Sequence, residues 1–303
     1  MTKTQICNKT FDEERSLYNL KNAEVTDCIF AGPADGESVL KEARDVVVSD
    51  CRFSLRYPLW HTESFRLIRS TMDELTRAPI WYAADGLIAS CTITGVKCLR
   101  ECDRMEIRNS KIVSPEFGWR CRGLKIDDTD LESEYLFFES RDAEINNLRM
   151  KGKYSFQYTE NITITDSYLD TKDAFWHAKN VTVKNSVVKG EYLAWYSDGL
   201  TLIDCKIIGT QPLCYAKNLT LIDCKIIGTQ PLCYAKNLTL INCTMEGTDL
   251  AFEYSDVHAD VQGHIVSVKN PRSGEVVADS IGEIIFENSV FATECNVHTR
   301  TSV

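Results

Sequence analysis

The chain has 303 residues, of which 44% are apolar, and its 34 basic and 44 acidic side chains give a formal net charge of −10. An apolar fraction of this size excludes a disordered chain, and a negative charge without a basic cluster argues against nucleic-acid binding. The N-terminus lacks the apolar core of a signal peptide, and no later run is long enough to span a membrane. We therefore expect a cytoplasmic protein without a membrane or nucleic-acid partner.

The chain is rich in cysteine, with thirteen residues and no Cys-x-x-Cys pair. Several cysteines recur at a fixed spacing, as buried apolar residues do in a protein from a reducing compartment. Cys98 and Cys102 have no neighbouring His or Cys pair that would complete a zinc site. The sequence therefore predicts neither a bound metal nor a cofactor.

A short landmark, usually Asp or Asn followed by a small residue, recurs along the chain after an N-terminal segment of 22 residues. From Ser90 to Asn242 the landmark returns at eight successive intervals of 19 residues. The earlier landmarks are Asp27-Cys28, Asp50-Cys51 and Arg69-Ser70, and a late one is Asn288-Ser289. A fixed period of this length indicates a solenoid whose coils stack on one another.

Two short strands meet at each landmark. Before it, alternate apolar residues such as Leu200 and Leu202 indicate a strand with one buried face. The landmark residue itself, here Asp204, belongs to a type that tolerates left-handed backbone geometry. After it, the apolar positions shift to Cys205 and Ile207. The inward parity therefore changes at a bend between the two strands.

A third strand is predicted after a turn at a small residue such as Gly209. Its inward positions should carry a large residue and then a small one, as in Trp195 and Ser197. The large inward residues are Trp60, Trp81, Trp119, Trp176 and Trp195. Three strands and three turns per coil predict an all-β protein, a single-stranded right-handed parallel β-helix of about thirteen coils.

We predict a single domain over residues 1–303. Residues 1–22 should form an N-terminal cap, because the exposed strand edges of a solenoid need cover, and residues 23–256 should form the regular coils. In residues 257–303 the period fails, and two strand-like stretches flank a turn at 270–274. We expect a hairpin and a last coil there, which either blunt this end or support a dimer contact. The chain is accordingly a monomer or a homodimer.

One coil occurs twice without a single difference, since residues 219–237 repeat residues 200–218. The other coils share the pattern but differ in detail. This identity predicts either a recent tandem duplication or the deliberate insertion of one coil. We favour insertion by engineering, because the extra 19 residues preserve the period and every turn position.

The residue between the large and the small position of the third strand should face solvent. Along the chain this column reads Glu42, His61, Tyr82, Glu101, Arg120, Glu139, Tyr158, His177, Tyr196, Tyr215, Tyr234 and Glu253. Its aromatic members suit stacking on sugar rings or other flat ligands. We expect a partly apolar strip beside it, formed by Leu59, Ile80, Leu99, Phe137, Phe156, Phe175 and Leu213. The candidate binding residues are Tyr82, Arg120, Tyr158, His177, Tyr196, Tyr215 and Tyr234.

Two carboxylates of this column are candidate catalytic residues. Glu101 and Glu139 should lie two coils apart, roughly 9–10 Å between backbones. Such a spacing would suit the acid and base of an inverting glycosidase. The simpler interpretation, which we prefer, is a surface ladder in which Arg120 neutralises both neighbours.

Several segments resemble one bacterial family of unknown function that is grouped with the pectin-lyase-like right-handed β-helices. They include RYPLWH (56–61), GKYSFQ (152–157), LDTKDAFWHAKNVTVKNS (169–186), GEYLAWYS (190–197), GTQPLCYAKNL (209–219), DLAFEYSDV (249–257) and SVKNPRSGEVVADSIGEII (267–285). The resemblance covers nearly the whole chain and implies the fold, with the GTQPLCY coil present once rather than twice. It implies no activity. The Asn-Thr-Asp and Gly-His-Gly motifs that accompany Arg-x-Lys in polygalacturonases, and the clustered aspartate calcium site of pectate lyases, are absent from the sequence.

Two functions are therefore compatible with the sequence. The first, which we favour, is a non-catalytic cytoplasmic β-solenoid whose aromatic and polar column binds a carbohydrate or a protein. The second is a carbohydrate-active enzyme, lyase-like or glycoside hydrolase-like, that acts on the same face with Glu101 and Glu139 as acid and base.

Overall fold

The computed structural model describes residues 2–32 and 37–300, which form strands and turns and no helix. None of these residues belongs to a long apolar helix of the kind that spans a membrane. The chain divides into two compact units, residues 1–152 and 153–303, which we call the N-terminal unit and the C-terminal unit. Each unit is a stack of coils joined by parallel strand pairing.

In the N-terminal unit most coils contribute one longer and one shorter strand, and in the last two coils these are joined into one strand of 13 residues. The strands are β1 (Thr4–Cys7), β2 (Thr10–Phe11), β3 (Lys21–Thr26), β4 (Ile29–Ala31), β5 (Arg44–Ser49), β6 (Arg52–Ser54), β7 (Leu59–Trp60), β8 (Glu63–Ile68), β9 (Thr71–Met72), β10 (Ile80–Trp81), β11 (Ala84–Ala89), β12 (Thr92–Ile93), β13 (Asp103–Arg108), β14 (Lys111–Val113), β15 (Arg122–Glu134) and β16 (Arg141–Lys153). Strands of the same kind pair in parallel from coil to coil, so that β5 sets Val48 opposite Leu67 of β8.

The C-terminal unit repeats this arrangement. Its strands are β17 (Glu160–Thr165), β18 (Tyr168–Lys172), β19 (Lys179–Lys184), β20 (Val187–Lys189), β21 (Asp198–Ile203), β22 (Lys206–Ile208), β23 (Lys217–Ile222), β24 (Lys225–Ile227), β25 (Lys236–Glu246), β26 (Asp256–Lys269), β27 (Ser273–Ile285) and β28 (Asn296–Thr299). The duplicated coil keeps the common register, with Leu202 of β21 opposite Leu221 of β23 and Ile207 of β22 opposite Ile226 of β24. The second copy of the coil therefore places each side chain beside its own kind.

The bend between the two strands is left-handed at the landmark, as predicted. The backbone φ angle is 56° at Asp50, 52° at Asp166 and 51° at Asp204. Asp and Asn tolerate this region because their short polar side chains form local hydrogen bonds. The bend shifts the alternation of inward and outward side chains by one residue, so Leu202 before Asp204 and Cys205 after it are both buried.

The small residue after the landmark forms hydrogen bonds in the core. The Cys205 thiol donates to the carbonyls of Val183 and Ile203 at 3.4 and 3.2 Å. One coil earlier, the Ser186 hydroxyl donates to the Lys184 carbonyl at 2.6 Å. All thirteen cysteines are free, and burial raises the pKa of the Cys51 thiol to about 12. Cysteine in this column therefore acts as a buried hydrogen-bond donor that serine replaces in other coils.

The fold class is confirmed, but the third side of the coil is mostly a turn rather than a strand. Among the described residues, only β7 and β10 form paired strands there, with two residues each, and isolated bridges such as Trp81 to Arg100 join other coils. In other coils left-handed residues alternate along this side, as at Tyr192, Ala194 and Tyr196 with φ of 54°, 58° and 60°. Backbone hydrogen bonds still join the coils, for example from Ala194 N to Ala174 O at 2.7 Å.

The two ends differ from the prediction. Residues predicted as an N-terminal cap begin with a coil of their own, because Thr4 of β1 pairs with Ala23 of β3 at the common 19-residue offset. With the further coils at the other end, the described residues form about 15 turns rather than thirteen.

The predicted C-terminal hairpin is wrong. The strands β26 and β27 pair in parallel, with Asp256 opposite Ser273. Left-handed residues at Asn270 and Gly274, with φ of 43° and 97°, turn the chain through another corner instead of reversing it. A Cβ atom at Gly274 would lie 2.0 Å from the carbonyl oxygen of Val257, so only glycine fits this close approach between coils.

Removing one whole coil should leave the fold intact. Deleting residues 219–237 joins Asn218 to Leu238, which has the environment of Leu219, and every inward column stays in register. We expect circular dichroism of unchanged β-content per residue and a cooperative thermal transition. As a control, deleting residues 219–228 removes half a coil and should abolish cooperative unfolding. An unfolded product from the whole-coil deletion would contradict the modular account.

Candidate binding face

The third side exposes pairs of neighbouring residues because of its left-handed backbone. In one coil Phe175 is 2% exposed, Trp176 is half-buried, His177 is exposed and Ala178 is buried. His177 has a φ of 54°, which turns its side chain to the same surface as Trp176. Two adjacent residues therefore face solvent where a strand would expose only one.

This geometry overturns two predictions about the third side. The tryptophans were predicted to point inward, but Trp60, Trp81, Trp119, Trp176 and Trp195 are half-buried at the surface. The strip predicted to be exposed is instead core, with Leu59, Ile80, Leu99, Phe137, Phe156, Phe175 and Leu213 at most 2% exposed. Phe156 and Phe175 stack there with ring centroids 4.9 Å apart. The polar and aromatic column faces solvent as predicted.

Five rings of the C-terminal unit form an aromatic column, defined as Tyr158, His177, Tyr196, Tyr215 and Tyr234. Successive ring centroids are 4.8–5.2 Å apart and successive ring planes differ by 9–26°. The centroid spacing equals the distance between paired strands, ~4.8 Å. Because the coils are in register, each ring lies directly over the next.

Stacking leaves the ring edges, rather than the ring faces, open to solvent. Tyr158 is 51% exposed and Tyr196 is 45% exposed, whereas Tyr215 and Tyr234 are half-buried. Burial is the main cause that raises the pKa of Tyr215 and of Tyr234. Their phenols therefore stay protonated at neutral pH, and the column offers ring edges and hydroxyl groups, each of which donates and accepts. Sugar rings cannot slide between faces that already contact each other.

A second pair of rings lies beside the aromatic column. Trp176 and Trp195 stack with centroids 5.6 Å apart and planes 5° from parallel. The Trp176 indole N–H donates to the Tyr192 carbonyl at 2.8 Å, and the Trp195 N–H donates to the Gln211 carbonyl at 2.9 Å. These bonds tie each indole to the next coil. The two columns together form a rigid face with little rotamer freedom to lose on binding.

In the N-terminal unit the equivalent face carries fewer stacked rings. His61 and Tyr82 stack at 4.9 Å. Arg100 occupies a tryptophan position, with its guanidinium carbon 5.1 Å from the Trp81 ring and 4.5 Å from the Trp119 ring. This arrangement is a cation–π sandwich, and Glu116 pairs with Arg100 at 2.7 Å. The arginine therefore continues the surface stack in place of an indole.

The two candidate catalytic carboxylates share one arginine. The Arg120 Nε atom donates to Glu139 Oε2 at 2.7 Å, and Arg120 Nη1 lies 3.9 Å from Glu101 Oε1. The hydrogen bond that Arg120 donates to Glu139 is the main cause that raises the pKa of Arg120. Arg120 thus lies between the carboxylates, in the space that a scissile bond and its water would need.

The hollows described in the N-terminal unit lie away from these columns. One of about 660 Å³ is lined by Asn22, Asp45 and Arg66, and another of about 530 Å³ by Arg66, Asp85 and Arg104, on the outer side of the longer strands. Among residues 2–32 and 37–300, no group of three or more His, Cys, Asp or Glu is placed to hold a metal ion. The columns are open surfaces rather than clefts.

Parallel coils of two strands and a turn side, with stacked side chains inside, define a right-handed parallel β-helix. The chain belongs to the family described as "Protein of unknown function (DUF3737)", whose model matches residues 4–225 and 215–298. The match restarts within the duplicated region and overlaps itself there, as expected if the family carries that coil once. Among curated proteins, none matches this sequence.

Two solved structures with similar coils share little sequence identity with this chain. The surface adhesin PfbA of Streptococcus pneumoniae is 8% identical, with 83% of this chain and 83% of that chain covered and a TM-score of 0.48. The A-module of the mannuronan C-5 epimerase AlgE4 from Azotobacter vinelandii is 12% identical, with 93% and 90% covered and a TM-score of 0.43. The likeness at this level does not extend to function.

Replacing neighbouring residues of the third side tests which of them is core. Phe175→Ala should lower the free energy of unfolding by about 3–5 kcal/mol, as expected for a buried phenylalanine. Trp176→Ala should cost less, because the half-buried indole loses one stacking contact and one hydrogen bond of about 1 kcal/mol each. Urea denaturation measures both values. If Trp176→Ala lowered the free energy of unfolding more than Phe175→Ala, the original prediction of an inward-pointing tryptophan would be supported.

Proposed function

We propose that the protein is a non-catalytic β-solenoid that binds an extended ligand along the aromatic column of its C-terminal unit. The observation that carries this proposal is the unbroken stack from Tyr158 to Tyr234, with four ring-to-ring contacts at one strand spacing. Rings that only stabilised the fold by stacking could be fully buried. Tyr196 and Tyr158 are instead 45% and 51% exposed, which supports a role at the surface.

The geometry of the column favours a ligand that is long and polar. Hydroxyl-bearing rings recur once per coil from Tyr196 to Tyr234, so a polymer that lies along this part of the column meets the same group at each of three successive coils. Ring edges provide apolar contact, and phenol groups provide hydrogen bonds. A carbohydrate chain has this combination of hydroxyl groups and C–H surfaces, and we propose it as the ligand class. A protein partner is the alternative, since rigid Tyr and Trp side chains also dominate protein interfaces.

The alternative of a carbohydrate-active enzyme has less support. A catalytic acid and base need open space between them for the substrate and a water. Arg120 occupies the space between Glu101 and Glu139 and pairs with both. We therefore propose that these three residues stabilise the surface rather than perform a reaction.

We also propose a cytoplasmic location. The buried cysteines bond as thiol donors, for example Cys224 to the Leu202 carbonyl at 3.3 Å. Many free cysteines without a disulfide are typical of a protein from a reducing compartment.

The binding proposal is tested with hydroxyl-deletion variants. The protein is first screened against an array of neutral and acidic oligosaccharides, and a positive glycan is then titrated by calorimetry. The double variant Tyr196→Phe with Tyr215→Phe keeps the ring stack and removes two hydroxyl groups. We expect affinity to fall by about tenfold, because two hydrogen bonds contribute about 1.4 kcal/mol or more.

Tyr168→Phe is the matched control, because Tyr168 is 43% exposed in the same unit but lies on β18, outside the column. It should leave affinity unchanged. Equal affinity of the double variant and the unmodified protein would contradict the proposed face. An array without a single bound glycan would contradict the carbohydrate class.

A further inference from the structure

The last long strand of the C-terminal unit is paired on both sides over only part of its length. On one side β27 pairs with β26 from Ser273 to Ile285. On the other side β28 covers only Glu275 to Ala278. Within the described part of the chain, no strand pairs with the free side of residues 280–285, which we call the C-terminal edge. A free row of backbone N–H and C=O groups is a template for another strand.

Two apolar side chains are exposed at the C-terminal edge. Ile284 is 42% exposed, and Phe286, directly after the edge, is 48% exposed. Natural proteins protect a free edge with charged side chains, especially Lys, with Pro or with a bulge. The sequence from Ser280 to Phe286 contains one charged residue, Glu283, and neither Lys nor Pro. This edge thus combines backbone groups that need partners with side chains that favour removal from water.

We propose that the C-terminal edge pairs with the same edge of a second copy of this chain. The two strands run antiparallel about a two-fold axis at Ile284. Residues directly opposite each other in an antiparallel ladder have their side chains on the same face of the sheet. If the two-fold axis passes through a residue, that residue lies opposite its own copy, and the core-facing sides of the two strands are on the same face of the joined sheet.

Charge distinguishes three possible axes at the apolar end of the edge, which pass through Glu283, Ile284 and Ile285. With the axis at Glu283, this glutamate would face its own copy, and with the axis at Ile285 it would face Glu287. With the axis at Ile284, Ile284 faces its own copy and Glu283 lies opposite Ile285. Phe286 then lies over Gly282, which has no side chain to obstruct it. The edge is therefore self-complementary with the axis at Ile284.

An isologous pair uses the same patch on both copies, and the assembly closes at two. The alternative, in which this edge joins the N-terminal coil of the next copy, is heterologous and would produce open filaments. The N-terminal strand β1 is flanked by Lys3 and Lys9, charges of the type that protect an edge. The chemistry of the two ends therefore favours the closed dimer. This inference is independent of the proposed binding function.

Sedimentation analysis of the intact protein over a range of concentrations tests the dimer. We expect a reversible dimer for the unmodified protein and a monomer for Ile284→Lys, because two ammonium groups would meet on the axis. Ile29→Lys is the matched control, since Ile29 is 45% exposed in the N-terminal unit, and it should remain dimeric. Circular dichroism of each variant confirms the fold. A monomer at every concentration, a concentration-dependent filament or a dimeric Ile284→Lys variant would overturn the proposal.

A crosslink tests the register itself. Residues opposite each other on the axis have Cβ atoms about 4.5–5.5 Å apart, near the range that a disulfide spans. In a Cys7→Ser background, which removes the exposed native thiol, Ile284→Cys should form a covalent dimer under mild oxidation. Ile29→Cys in the same background should stay monomeric on a non-reducing gel. Absence of a covalent dimer from Ile284→Cys in the dimeric protein would overturn the proposed axis.

Discussion

Left-handed backbone geometry at fixed positions of each coil determines which side chains enter the core and which meet the solvent. A strand alternates its side chains between two faces, and a single residue with positive φ interrupts that alternation. At Asp204 the interruption joins two strands whose inward residues would otherwise be out of phase. On the third side, repeated interruptions at Tyr192, Ala194 and Tyr196 place Trp195 and Tyr196 together at the surface. The exposed aromatic face is a consequence of this backbone.

Register converts the local geometry into long-range order. Because the coils are parallel and in phase, each side chain lies one strand spacing from its counterpart, and stacking recurs without further design. In the core, Phe30 and Phe53 stack at 4.7 Å. At the surface, Tyr215 and Tyr234 stack at 4.8 Å. The common register explains why the chain can accommodate one more whole coil. It also explains why the faces of the surface rings contact one another while their edges are open to solvent.

The sequence predicted the part of the fold that turn-forming residues mark. The period, the two strands and the left-handed corner were readable because Asp and Asn occupy the corner, and these types tolerate positive φ. The third side was misread because its left-handed positions carry Phe175, Ala194 and Leu213, none of which signals such a backbone. Strand alternation was then the only available rule, and it exchanged the buried and the exposed residues. The His and Tyr column was still identified, since its members face outward in either geometry, but the Trp176–Trp195 pair beside it was missed.

The claim that left-handed corners set the inward pattern is tested most directly at Asp204, whose φ is 51°. The measurement is the free energy of unfolding of Asp204→Gly and Asp204→Val by urea denaturation. Glycine adopts positive φ freely, so Asp204→Gly should be close to the unmodified protein. Asp204→Val should be less stable than Asp204→Gly by about 1–2 kcal/mol, the cost of left-handed geometry for a side chain with a Cβ branch. Equal stability of the two variants would contradict the account.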